Sequence, residues 1–207
     1  MPLASNQNLK ENIEVKIEEL AQIAYEQKAL ILTETDLQCL LYKKLLEIDY
    51  LAEITPTNDN YLTNKVHTEI SWFDSNNNSR LSIRPDITLL KPDNLKITSG
   101  FNIPLPSKGF HSNDGGIIFE IKFDRESRTI SQKNIDGIFK DIRNFRRIYR
   151  RFSEISLENE IYAYFVFFIK SSPSDINIMK INQIYEELNR YGLDENKCKF
   201  IPKFIGV

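Results

Sequence analysis

The chain has 207 residues, enough for one medium-sized domain, and its 41% hydrophobic and 27% charged residues exclude disorder as the default state. The formal net charge of −2 excludes a general attraction to polyanions. Cys39 and Cys198 lie far apart, with neither disulfide nor zinc spacing, which indicates a reducing compartment. Residues 1–14 contain no apolar signal core, and the apolar run 161–169 is too short to cross a bilayer. We therefore expect a soluble cytoplasmic protein without membrane partners.

Two amphipathic helices are predicted at the start of the chain. Apolar residues recur at three- and four-residue spacing over residues 10–28, which is typical of a helix that packs on the domain or on a partner. A second helix is predicted over 33–51, because Thr33 followed three residues later by Asp36 is a helix-start signal. Glu34 falls at its N-terminus, where it either compensates the helix dipole or contributes to a site.

Two strands are predicted next. Residues 66–73 alternate like a half-buried strand, and the polar residues 74–79 form a hairpin connection to a second strand over 81–90. Pro85 removes one backbone donor from this second strand, so we expect an edge position, a bulge or a local break there. Asp86 follows in the middle of the same apolar run.

A third strand, 115–124, contains two charged residues in an otherwise apolar run. Glu120 and Lys122 are two positions apart and therefore point to the same face of the sheet. Since burying a carboxylate and an amine is costly, either that face is wet or the pair has a function. The segment 91–114 before this strand is rich in proline and is expected to be irregular, with a small hairpin around 97–103 and no second domain.

The remaining elements complete an α/β pattern. A long helix is predicted over 130–152, a strand buried on both faces over 161–169, a last helix over 175–191 and a short edge strand over 197–205. The order of elements predicts one α/β domain over the whole chain, with a mixed central sheet flanked by helices. The buried stripe of the last helix is expected to contain Ile178, Ile181, Ile184, Tyr185 and Leu188.

Asp86 and Glu120 on neighbouring strands would form a hard oxygen site. Magnesium prefers one or two carboxylates together with waters and substrate phosphate oxygens. Lys122 beside such a site can hold a phosphate oxygen or act on a water, and the metal lowers the pKa of a bound water. These parts suffice for metal-dependent hydrolysis of a phosphodiester. The chain lacks the His and Cys clusters of zinc sites and the glycine-rich loops of nucleotide sites.

Pro85-Asp86, followed after a gap by Glu120-Ile121-Lys122, resembles the signature of the PD-(D/E)XK nuclease superfamily. The resemblance implies a restriction-endonuclease-like core and a Mg²⁺ cofactor, for which Mn²⁺ can substitute. It implies that Asp86 and Glu120 bind the metal, that Ile121 offers its backbone carbonyl to it, and that Lys122 serves the attacking water.

The resemblance covers roughly residues 33–170, so the helices at 10–28 and 175–191 would be additions to the core. Many members of the superfamily carry a further acid on the first core helix. Glu34 is the best match here, and Glu69 on the preceding strand is its rival. The long segment between the two motif strands departs from the family pattern.

The long helix adds an indication of nucleic-acid binding. Residues 140–151 contain six basic residues and one acid. Arg and Lys at such spacing are typical of phosphate contacts, although a solvated charged face gives the same pattern. The candidate contacts to nucleic acid are Arg84, Arg125, Lys140, Arg143, Arg147 and Arg150.

The leading hypothesis is therefore a magnesium-dependent deoxyribonuclease of the restriction, defence or repair type. DNA is the expected partner, and RNA stays open as a substrate. Cutting both strands of a duplex would require a homodimer or a larger complex. The alternative is a non-catalytic nucleic-acid-binding or assembly subunit that retains the fold. The intact motif favours the enzyme.

Overall fold

The structure is a computed structural model that describes residues 3–73, 81–96, 103–105, 110–112, 115–126, 128–155 and 161–206. The helices in these ranges are α1 Gln7–Glu26, α2 Glu34–Leu45, α3 Asp49–Ala52, α4 Gln132–Ile155 and α5 Asp175–Arg190, with a 3-10 turn at Pro92–Asn94. The strands are β1 Thr55–Pro56, β2 Leu62–Thr63, β3 Val66–Thr68, β4 Trp72–Phe73, β5 Leu81–Ile83, β6 Ile87–Leu89, β7 Leu95–Lys96, β8 Ile103–Leu105, β9 Phe110–Ser112, β10 Gly116–Asp124, β11 Ile161–Ile169 and β12 Cys198–Phe204. No helix in the described ranges is both long enough and apolar enough to span a membrane.

Five strands form the central sheet, in the order β12-β11-β10-β6-β3. The first three of these are mutually parallel, whereas β6 runs antiparallel to both of its neighbours. The sheet is therefore mixed, and helices flank it, which confirms the predicted α/β architecture. The short strands β1 and β2, β4 and β5, and β7 to β9 form small separate sheets.

Each face of the central sheet has its own hydrophobic core. Helices α1 and α2 cover one face, and α4 and α5 cover the other. Along β10, the alternate residues Ile117, Phe119 and Ile121 belong to the first core, and Ile118 belongs to the second. Because side chains alternate along a strand, Glu120 shares the α4 face with Ile118. The same alternation places Glu120 and Lys122 on the face of β10 that α4 covers.

The strands predicted over 66–73 and 81–90 are both interrupted in the structure. The stretch 66–73 splits into β3 and β4, because Glu69 adopts a left-handed backbone with φ of 51° and breaks the pleat. The stretch 81–90 splits into β5 and β6 at Pro85 and Asp86, which confirms the local break expected there.

The segment 91–114 contains more regular structure than expected. In its described parts, β7 and β8 both pair antiparallel with β9. Most of the hairpin predicted around 97–103 lies outside the described residues, and so does the connection predicted at 74–79.

The helix boundaries differ modestly from the prediction. The second helix ends at Leu45 rather than near residue 51, since the chain turns before α3. In α5, Ile181, Ile184 and Leu188 are buried as expected, but Ile178 and Tyr185 are each 43% exposed. These two side chains lie at one margin of the apolar stripe. The face of α5 that packs on the domain is therefore narrower than the stripe that the sequence predicts. The predicted edge strand is confirmed as β12, which pairs in parallel with β11.

Candidate active site

Asp86 is fixed against β10 by its backbone and by its carboxylate. Its N–H donates to the Phe119 carbonyl at 3.0 Å, and its Oδ2 accepts from the Ile121 N–H at 2.6 Å. The Asp86 carbonyl accepts from Gln38 Nε2 of α2 at 2.7 Å and from the Glu69 N–H at 3.2 Å. The break before β6 therefore directs this acid towards β10, and two other elements hold its backbone in place.

Glu120 and Lys122 lie next to Asp86 across the sheet. Ile87 of β6 pairs with Phe119 of β10 in an antiparallel ladder. Asp86 precedes Ile87 and Glu120 follows Phe119, so the two acids are neighbours. Glu120 is only 7% exposed, and the negative charges of Asp141 and Asp86 lie close to its carboxylate. Burying an anion among like charges is costly, so Glu120 is the acid that a bound cation would stabilise most.

Three oxygen atoms surround the Lys122 amine. Lys122 Nζ lies 3.0 Å from the Ile121 carbonyl, 3.1 Å from Asp141 Oδ2 and 3.4 Å from Glu34 Oε1. The Ile121 carbonyl and Glu34 Oε1 accept hydrogen bonds from this amine, whereas Asp141 Oδ2 contacts it as an ion pair without a hydrogen bond. Lys122 therefore joins β10 to both α2 and α4.

The N-terminal cap of α2 delivers Glu34 to the site. The Thr33 hydroxyl accepts from the Asp36 N–H at 3.1 Å, and the Asp36 carboxylate accepts from the Thr33 N–H at 2.8 Å, which forms a capping box. This cap begins the helix at Glu34, whose second oxygen accepts from the Phe123 N–H at 3.3 Å. The predicted helix start therefore also positions an acid of the site.

Asp141 on α4 is a site residue that sequence reasoning missed. It is the single acid within the basic stretch 140–151, and its side chain is only 13% exposed. Its position between Ile138 and Phe145 places it on the apolar stripe of the helix, where an acid is unusual, and this spacing is the signal that could have identified it. One turn earlier, a Cβ at Gly137 would lie 3.5 Å from Lys122 Cε, so Gly137 lies directly against the stem of the lysine.

Burial raises the pKa values of three acids of the site, Asp86, Glu120 and Asp141. For Asp86, burial raises the pKa to about 6, although the hydrogen bond from the Ile121 N–H and the charge of Lys122 oppose the shift. For Glu120, burial and the negative charges of Asp141 and Asp86 raise the pKa well above its usual value. Burial also raises the pKa of Asp141, against the attraction of Lys122.

The amine of Lys122 is outnumbered by carboxylates. Burial lowers its pKa, but the negative charges of Asp141, Glu34, Asp86 and Glu120 outweigh burial and keep the pKa above its usual value. Lys122 is therefore a permanent ammonium group at neutral pH. Four acids around one ammonium group leave an excess of negative charge that a further cation would offset.

The structure distinguishes the two rivals for the additional acid. The Glu34 carboxylate contacts Lys122, whereas the Glu69 carboxylate pairs with Arg84 at 3.7 Å, and both of those side chains are mostly exposed. Glu69 reaches the site only through its backbone N–H, which donates to Asp86. A metal-binding role for Glu34 or Glu69 stays a prediction.

The predicted nucleic-acid contacts are distributed over several elements. Arg84 precedes the motif acid and pairs with Glu69. Arg143 lies 3.8 Å from Glu187 and so links α4 to α5. Of the others, Arg125, Lys140 and Arg150 are exposed and Arg147 is half-buried.

The oxygen donors suit magnesium only if waters or substrate complete the coordination. Among the described residues, no three His, Cys, Asp or Glu side chains are grouped to hold a metal ion by themselves. The available donors are the carboxylates of Asp86 and Glu120 and the Ile121 carbonyl. Magnesium retains several waters and is usually bound by one or two carboxylates, so this donor set fits it.

Comparisons of the chain with protein-family models, with curated proteins and with solved structures find no match. The inference of function therefore depends on the geometry and charge of the site.

Proposed function

We propose that the chain is a magnesium-dependent nuclease with a restriction-endonuclease-like core, which hydrolyses phosphodiester bonds in DNA. The observation that carries the proposal is the pair of neighbouring acids beside Lys122, of which Asp86 is half-buried and Glu120 is buried. Glu120 is buried, and the negative charges of Asp141 and Asp86 beside it disfavour its ionised form. A divalent cation would offset both effects.

Asp86, Glu120 and the Ile121 carbonyl would hold Mg²⁺, or Mn²⁺ in its place. When bound, the ion supplies Lewis acidity to the phosphoryl group and a bound water of lowered pKa. Lys122 then presents its ammonium group to a phosphate oxygen or orients the attacking water. Glu34 holds the amine from α2 and so limits the positions that it can adopt.

The arrangement of elements supports the family assignment. The elements follow one another in the order expected of this core. They are a helix that begins with an acid, an antiparallel pair of strands ending in the Pro-Asp motif, the Glu-x-Lys strand, a long helix and a parallel strand. The parallel pairing of β10 with β11 across α4 gives the crossover connection that such a core requires.

The exposed basic residues support DNA as the substrate. Lys140 and Arg150 are exposed on α4, the helix that also carries Asp141. Arg125 is exposed just after β10, the strand that carries Glu120 and Lys122. Phosphate contacts of this type fix the register of a nucleic acid without reading its sequence. Arg143 contributes less, because Glu187 already accompanies its guanidinium group.

A hydrolysis assay tests the proposal. Purified protein with Mg²⁺ or Mn²⁺ is incubated with single-stranded, double-stranded and branched DNA and with RNA. We expect cleavage of at least one DNA substrate, and a loss of at least 100-fold in Lys122→Ala and Asp86→Asn, since both remove groups at the reacting centre. Lys28→Ala, at an exposed position after α1, is the matched control and should cleave like the wild type. Identical behaviour of the wild type and Lys122→Ala on every substrate would overturn the hydrolytic assignment.

The alternative is a non-catalytic nucleic-acid-binding or assembly subunit with the same fold. It is favoured by the contact of the Lys122 amine with the Ile121 carbonyl, an oxygen that a metal would need. In that case, the protein would bind DNA with a steep salt dependence and cleave none of the substrates. The same assay, with a filter-binding measurement added, separates the two functions.

A further inference from the structure

The Lys122 amine has one ion-pair partner, Asp141, that lies outside the predicted motif and inside the core. Asp141 Oδ2 is 3.1 Å from Lys122 Nζ, closer than Glu34 Oε1 at 3.4 Å. The Asp141 side chain is also less exposed, at 13% against 44% for Glu34. The amine therefore has a buried anchor on α4 and a more exposed one on α2.

The backbone of α4 makes Asp141 a rigid anchor. Ile138, Ile142 and Phe145 flank Asp141 on the buried stripe of α4 and are essentially inaccessible to solvent. Packed apolar side chains of this kind fix the helix on the sheet, so the Asp141 carboxylate cannot withdraw without moving the core. In contrast, Glu34 lies in the first turn of α2, where side chains have more freedom.

We propose that Asp141 is the positioning residue that holds the Lys122 amine beside the Ile121 carbonyl and the two motif acids. This inference rests on the proposed function. If a divalent cation takes the Ile121 carbonyl, the amine loses the shorter of its two hydrogen bonds. Asp141 then keeps the amine at the reacting centre instead of releasing it to solvent. Asp141 acts through Lys122 and does not contact the substrate.

The kinetic consequence is a selective loss of turnover. In Asp141→Asn, we expect kcat to fall on the order of 10- to 100-fold, because misplacing a catalytic group by about 1 Å costs about 100-fold. The KM for DNA should stay within about twofold of the wild-type value, since Asp141 lies beneath the helix surface. Asp141→Glu retains the charge and should recover more of kcat than Asp141→Asn does.

A labelling experiment tests the same contact without metal or substrate. Acylation of lysine amines, followed by mass spectrometry, reports how firmly each amine is held in the native protein. In the wild type, Lys122 should react more slowly than the exposed Lys133 and Lys140 of α4. In Asp141→Asn, the Lys122 rate should rise several-fold while the other two rates stay constant.

Asp136→Asn is the matched control for both measurements. Asp136 lies on the same helix, is exposed, and accepts from Gln132 Nε2 at 3.0 Å, so its substitution changes the charge of α4 equally. We expect wild-type kcat and a wild-type Lys122 labelling rate in this variant. Circular dichroism of each variant shows whether it is folded, and if Asp141→Asn does not fold, Asp141→Glu decides the question by its kcat and labelling rate.

The outcomes separate the two proposals. If the wild type cleaves DNA but Asp141→Asn has wild-type kcat and wild-type Lys122 labelling, Asp141 has no positioning role and the nuclease assignment stands. If Lys122 of the wild type reacts as fast as Lys140, the amine is not held, and the inference is also wrong. If the wild type itself cleaves nothing, the nuclease assignment fails and the inference fails with it.

Discussion

Glu120 carries a carboxylate into the interior of the sheet, where the surrounding groups favour its neutral form. Burial and the negative charges of Asp141 and Asp86 raise its pKa, and Lys122 opposes them only in part. A sequence selected for stability alone would place an apolar or amide side chain here. An acid at this position therefore lowers stability, and the proposed cation site would give it a function.

The substitution Glu120→Gln should therefore stabilise the metal-free protein. We expect the free energy of unfolding at pH 7, measured by urea denaturation in the presence of a chelator, to rise by about 1 kcal/mol, because an amide replaces an acid whose ionisation is costly in this buried position. The same variant should lose Mn²⁺ binding. A decrease in stability would indicate that Glu120 has a structural ion-pair role instead.

His67 gives the protein a separate dependence on pH. Burial lowers its pKa below the usual 6.5, against a hydrogen bond with the Asn64 backbone, and its Nε2 has no hydrogen-bond partner in the described part of the chain. Below about pH 6.5, the unfolded chain takes up a proton that the folded protein does not, so stability falls as the pH decreases towards the folded-state pKa.

The variant His67→Gln removes this titration. Between pH 7 and pH 5, its free energy of unfolding should decrease less than that of the wild type. The comparison between variants is needed because the raised pKa of Asp86, about 6, acts in the opposite direction, stabilising the fold as the pH falls through that value. Parallel pH profiles for the two proteins would exclude His67 as the cause.

At the scale of elements, Gly137 of α4 packs against the side-chain stem of Lys122 of β10. A Cβ there would stand 3.5 Å from Lys122 Cε, which is an ordinary van der Waals separation, and 3.9 Å from Lys122 Cδ. One methyl group therefore fits, whereas a branched side chain would meet the stem of the lysine.

Gly137→Ala and Gly137→Val should differ in their effects on DNA cleavage. Alanine should raise the free energy of unfolding by about 0.5–1 kcal/mol through helix propensity and leave DNA cleavage largely intact. Valine should lower cleavage by displacing the Lys122 amine from Asp141. Equal cleavage by the two variants, each shown to be folded by circular dichroism, would exclude a steric role for this glycine.

At the scale of the whole molecule, α1 belongs to the core of the domain. Ile13, Ile17 and Leu20 are fully buried in the same cluster as Leu37 of α2 and Phe119 of β10. The expectation that this helix is an addition to a self-sufficient core therefore needs a direct test.

The substitution Ile17→Ala should lower the free energy of unfolding by about 2–4 kcal/mol, because it leaves a cavity between α1 and the sheet. Val15→Ala, on the exposed side of the same helix, is the control and should change it by less than about 0.5 kcal/mol. Equal, small effects of the two substitutions, measured by urea denaturation, would show that α1 is separable from the core.

The sequence was sufficient for much of this architecture and for part of the site. The capping box of Thr33, the break at Pro85 and the doubly buried β11 are local patterns, and each of them is present in the structure. Contacts between distant elements were harder to predict. Asp141 was missed because its contact with Lys122 depends on how α4 rotates over the sheet, which a single helix pattern does not specify.

A similar limit applies to Glu69 and to α5. The left-handed backbone at Glu69 divides a stretch whose alternation resembles one continuous strand, and the carboxylate turns to Arg84 instead of the site. In α5, the apolar residues at the margin of the stripe look equivalent to the buried ones until the neighbouring elements are in place.

We propose above all that Asp86 and Glu120, next to each other at β6 and β10, form a site for a divalent cation. A crystal structure of the protein soaked in Mn²⁺ tests it most directly, because manganese is located by its anomalous scattering. We expect one strong anomalous peak at about 2.0–2.3 Å from oxygens of Asp86 and Glu120, with the Lys122 amine withdrawn from the Ile121 carbonyl and still in contact with Asp141. Wild-type crystals saturated with Mn²⁺ that show no peak between these two carboxylates would contradict the account.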